Sequence, residues 1–134
     1  MSGKNKQHDN MNNTIMLIDD VPLHIRQYSR ILQPLNLRIM LASNVFEACV
    51  MLQYDLPSAI LFNHETVLDE YASFLKLFKG NPKLDHIMLI AIIHNHNEAI
   101  IRQIMDSGCD HFLLDSDMSS KQVLSHTIDK ALRI

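Results

Sequence analysis

A chain of 134 residues, 47% apolar and 20% charged, is long enough to bury a core as one soluble domain. A formal net charge of −3 leaves no basic footprint for direct nucleic-acid binding. No apolar run reaches the roughly 18 residues of a membrane-spanning helix, and an N-terminus without an apolar h-region places the expected location in the cytoplasm.

Residues 1–13, "MSGKNKQHDNMNN", are polar and aperiodic, as in a disordered tail. From Thr14 onward, strand-like and helix-like segments alternate. The run 15–18 is continuously apolar and ends in Asp19-Asp20, the pattern of a strand buried on both faces. Pro22 suits the first turn of a helix whose apolar stripe is Leu23, Tyr28, Ile31 and Leu32. Pro34 stops it, and Asn36 can take the left-handed turn that glycine usually supplies. A second strand is predicted at 37–41. Asn44, with Glu47 three residues on, opens a helix carrying Phe46, Cys49, Val50 and Leu52.

A third strand is predicted at 59–62 and a helix over 69–79, closed by Gly80-Asn81-Pro82. The fourth strand covers 87–93. Asn95, with Glu98 three positions later, is the expected cap of the next helix, which contains Ile101, Ile104 and Met105. Gly108 ends it, 111–114 is the fifth strand, and Ser119 with Gln122 opens a last helix bearing Val123, Leu124, Ile128, Ala131 and Leu132. Five strands, each followed by a helix, imply a parallel sheet covered on both faces. Function in such sheets gathers at the carboxyl ends of the strands. Cys49 and Cys109 form no paired motif and read as reduced structural thiols.

Those carboxyl ends carry Asp19 and Asp20, Asn63, Ile93 and Asp115. With "IMLIDDVP", "LASNVFEA", "PSAILFN", "NPKLDHI" and "SGCDHFLL" in this order, the segment 14–134 resembles the receiver domain of two-component response regulators. The resemblance implies a flavodoxin-like (βα)5 fold. It also implies a site in which an acidic pair holds Mg²⁺ and an aspartate at the third strand takes up a phosphoryl group. A hydroxyl after the fourth strand and a lysine after the fifth contact the phosphoryl oxygens.

Against that pattern Asp19 and Asp20 match the acidic pair, Asn63 stands at the acceptor, Ile93 at the hydroxyl and Asp115 at the lysine. Ser116 replaces the proline that normally follows the lysine. A neutral amide is a poor nucleophile, Ile93 has no hydroxyl, and Asp115 would repel a phosphoryl group. The expectation is a non-phosphorylatable pseudo-receiver without enzymatic activity. Its work would be protein–protein contact in a signalling pathway, with an output domain such as a diguanylate cyclase or a DNA-binding domain outside this chain. Self-association through the last two helices and the fifth strand fits the same resemblance, as does Phe112 at the position of the switch aromatic.

Two alternatives stay open. One is an atypical receiver that still binds Mg²⁺ and accepts a phosphoryl group; the other is a metal- or ligand-sensing domain in the remodelled pocket. No cofactor is expected beyond weak, vestigial Mg²⁺ binding by Asp19, Asp20 and Asn63. A transition-metal cluster of His64, His94 and His96, all expected on loops near the acidic pair, belongs to the second.

Overall fold

The computed structural model describes residues 14–95, 97–119 and 121–132. The segment 1–13, read as a tail, and His96 lie outside the described residues. The strands are β1 (Thr14–Ile18), β2 (Arg38–Ala42), β3 (Ala59–Asn63), β4 (Met88–Ile93) and β5 (His111–Leu114). The helices are α1 (Pro22–Leu32), α2 (Val45–Leu52), α3 (Tyr71–Lys79), α4 (Glu98–Asp106) and α5 (Lys121–Leu132). All five strands are parallel in the order β2-β1-β3-β4-β5, the flavodoxin-like arrangement. Among the described residues no peptide bond is cis, that between Asp115 and Ser116 included.

Strand periodicity divides the core in two. Met16, Ile18, Ile60, Phe62, Ala91 and Ile93 face α2, α3 and α4, where Ala48, Phe74, Phe78 and Ile104 meet them. Ile15, Leu17, Leu61, Ile90, Ile92 and Leu113 face α1 and α5, against Tyr28, Leu32, Leu124 and Ile128. Apart from Thr14 and Asn63 at their ends, the central strands β1, β3 and β4 are therefore apolar along their length, because both faces are covered.

Local chemistry sets the element ends. Pro22 occupies the first turn of α1, and Asn36 takes φ 58° in the turn before β2. The Asn44 side chain accepts from the Glu47 N–H at 2.8 Å, while the Glu47 carboxylate accepts from the Ser43 N–H at 2.9 Å. Gly108 has φ 90°, and a Cβ there would run into the Lys79 side chain.

Several expectations are corrected. The cap of α4 is Asn97, whose side chain accepts from the Ala99 N–H at 2.7 Å; Asn95 lies two residues too early for that bond. The helix expected over 69–79 begins as a 3-10 turn at Leu68–Glu70, and α3 starts at Tyr71 with no side-chain cap on its first turn. A second 3-10 stretch, Asp115–Ser119, precedes α5. Phe46 and Leu23 do not point into the core. They are 76% and 56% exposed, because α2 lies beside the edge strand and α1 turns only Tyr28 and Leu32 fully inward.

Candidate functional site

The carboxyl ends of β1, β3, β4 and β5 converge on a cleft occupied by side chains. Asp19 follows β1 and is 1% exposed. Its Oδ1 accepts from the Val21 N–H at 2.9 Å and from the Asn63 Nδ2 amide at 3.2 Å. Its Oδ2 faces His24 Nδ1 at 3.1 Å, and since an ionised carboxylate only accepts, that nitrogen carries the proton. Three donors thus replace the water a buried carboxylate would otherwise lose.

Asn63, the last residue of β3, is oriented from both sides. Its Oδ1 accepts from the Glu65 N–H at 3.0 Å, which leaves the NH₂ to point at Asp19. The amide therefore presents donors, not an oxygen, toward the centre of the cleft. Asp20, by contrast, is exposed and accepts from Thr66 Oγ1 at 2.9 Å. Ile93 is 1% exposed on the α4 face, with Phe112 half-buried against the same cluster. Asp115 begins the 3-10 stretch after β5; its Oδ1 accepts from the Ser116 N–H at 2.9 Å.

Histidines fill the space between these groups. His24, in the first turn of α1, stacks on His94 at the end of β4, with ring centroids 4.1 Å apart and planes 6° from parallel. His94 Nε2 lies 2.9 Å from Tyr28 Oη, and its Nδ1 lies 3.8 Å from Asp115 Oδ2. Burial lowers the His94 pKa and the neighbouring His24 lowers it further, while the Asp115, Asp19 and Glu65 carboxylates pull it back up. Burial, with the Asp19 and Asp115 charges, raises the Tyr28 pKa. Both directions favour the uncharged forms of His94 and Tyr28 beside the carboxylates.

Of the histidines named from the sequence, His94 reaches the cleft and His64 does not, while His96 lies outside the described residues. His64 follows Asn63 and so turns to the opposite face of the sheet, where it meets Tyr71 edge-on at 5.2 Å. His24 was missed because it sits in a helix rather than a loop. The available signal was Pro22: a helix starting there sets His24 on its first turn, over the strand ends. Cys49 and Cys109 are free thiols; burial pushes the Cys109 pKa up to about 11. A cleft of about 950 Å³ opens at the other end of the sheet, lined by Thr14, Arg38, Asp55 and Leu84 among others, and contributes nothing to this constellation.

No family model matches the sequence, and no curated protein matches it. Solved structures do. A signal receiver domain of a histidine kinase from Syntrophus aciditrophicus superimposes with a TM-score of 0.78 at 19% identity, over 90% of this chain and 89% of that one. A response regulator from Thermotoga maritima gives 0.76 at 12% identity, over 90% and 98%. The receiver domain of a sensor histidine kinase from Pseudomonas aeruginosa, with a magnesium ion coordinated in its active site cleft, gives 0.77 at 16% identity, over 90% and 97%. This chain has the receiver-domain fold.

Mg²⁺ prefers an octahedron of oxygens and keeps several waters. Here Asp19 Oδ1 is taken by two N–H groups, Asn63 offers nitrogen, and an imidazole faces Oδ2. The donor set suits a hard oxygen-seeking ion poorly.

Proposed function

We propose that this chain is a signalling module that keeps the receiver fold and works through protein contacts rather than by phosphoryl transfer. The observation that carries the reading is the Asn63 side chain, held by the Glu65 N–H so that its amide donates to Asp19. A carboxylate nucleophile is missing at the strand end where phosphoryl transfer in receivers takes place, and the neighbouring positions supply neither a hydroxyl nor a fixed cation. Residual Mg²⁺ affinity at Asp19 and Asp20 is expected to be weak. Partners are a signalling protein or an output domain, a diguanylate cyclase or DNA-binding domain being of the fitting kind, or a second copy.

The surface offered by α4, β5 and α5 supports that reading. Met105 is 62% and Val123 39% exposed, and Ile101 and Phe112 are half-buried beside them. The test is incubation with acetyl phosphate and Mg²⁺ followed by intact-protein mass. The expected result is no added mass; a gain of one phosphoryl group would overturn the proposal.

A further inference from the structure

We propose that Asp19, His24 and His94 form a binding site for a borderline divalent transition-metal ion such as Zn²⁺, with the Asp115 carboxylate beside His94. One ligand atom from each of the first three residues lies within 4.8 Å of the others. They come from three separate elements: the end of β1, the first turn of α1 and the end of β4. Two imidazoles with carboxylates are the donors that zinc, nickel and copper take, whereas magnesium and calcium take oxygens. The site is therefore different in chemistry from the oxygen-lined magnesium cleft of receivers.

The distances favour this assignment at the first pair. Two ligands on a tetrahedral zinc at about 2.0–2.1 Å stand about 3.3 Å apart. Asp19 Oδ2 and His24 Nδ1 are 3.1 Å apart, close to the spacing a cation needs when it replaces the shared proton. Oδ2 is also the oxygen that the Val21 and Asn63 donors leave alone. At His94 the Tyr28 hydroxyl engages Nε2, so Nδ1 is the nitrogen available to a cation. Asp115 Oδ2 stands beside it at 3.8 Å. Tyr28 thereby plays the outer part that orients a ligating histidine.

One feature must change on binding. A metal lies in the plane of each imidazole that holds it, and two rings 6° from parallel at 4.1 Å share no such point. One ring has to rotate about its broad χ2 well, which opens the stack. Loss of the mutual ring-current shifts of His24 and His94 is therefore the spectroscopic mark of the site.

The experiment is titration of the full chain with ZnCl₂, followed by calorimetry and by imidazole NMR, with MgCl₂ as competitor. Expected are one saturable site, collapse of the ring-current shifts, and no displacement by equimolar Mg²⁺. His24→Asn and His94→Asn should each weaken binding by more than tenfold. Tyr28→Phe should weaken it about tenfold. Circular dichroism shows whether each variant is folded. Because other histidines bind zinc adventitiously, a second variant replaces His8, His86, His96, His111 and His126 by Ala and keeps the cluster; it should bind like the native chain. Absence of saturable binding, or binding that is lost in this second variant and retained in His24→Asn and His94→Asn, overturns the proposal. The phosphorylation test stands apart, since neither result changes the mass measured there.

Discussion

Asn63 and His64 are neighbours at one strand end and meet opposite environments. Asn63 finds a donor and an acceptor on the α1 side, while His64 is 2% exposed on the α3 side and its Nε2 has no hydrogen-bond partner among the described residues. Burial lowers the His64 pKa, with the Glu65 charge opposing it. The unfolded chain then binds a proton more readily than the folded one, so stability falls as pH drops below the ordinary histidine value near 6.5. The fall ends once the lowered folded value is passed. Each fully unmatched proton costs up to about 1.4 kcal/mol per pH unit in that window. Urea unfolding of the native chain at pH 7 and pH 5 should show this loss, and His64→Leu should flatten it. An equal slope in both proteins would assign the pH dependence elsewhere. His94 tilts the same way, its pKa also lowered, so the variant is expected to keep part of the slope.

Capping chemistry operates at the level of elements. In α2 the Asn44 side chain and the Glu47 carboxylate each satisfy one backbone N–H. Asn44→Ala should cost about 1 kcal/mol, read as a shift in the denaturation midpoint at unchanged slope. This cap was legible from the spacing of Asn44 and Glu47. The start of α4 was not, because Asn95 and Asn97 precede the same apolar series; the spacing of Asn95 and Glu98 mimics a capping box, but the hydrogen bond is made by Asn97. Phe46 shows a related limit. Its spacing to Val50 marks one face of a helix, but spacing does not say whether that face meets the sheet or the solvent. Beside an edge strand, it meets the solvent.

For the molecule as a whole, the three central runs β1, β3 and β4, buried on both faces, and the helix punctuation between all five strands were enough to specify the sheet. The cleft was half legible. Positions at strand ends follow from topology, so Asp19, Asn63, Ile93 and Asp115 could be placed. His24 and Tyr28 reach the cleft through the docking of α1; Pro22 marks where that helix starts, but no local pattern says which of its faces meets the strand ends. The same limit applies to surfaces. If copies associate through α4, β5 and α5, Met105→Glu, at a residue 62% exposed, should weaken self-association at least tenfold, about 1.4 kcal/mol, in sedimentation velocity. Phe46→Glu on α2 should leave it unchanged. The opposite pattern would move the interface to α2.

The Tyr28–His94 pair spans 66 positions of sequence and, with the His24 stack, buckles α1 to the tip of β4. Any excursion of that tip must first part a 2.9 Å hydrogen bond and slide two rings off each other. Parting both contacts costs about 1–3 kcal/mol in all, so the tip of β4 and the start of α1 are expected to move together. The domain is built to hold its pose until something undoes the buckle.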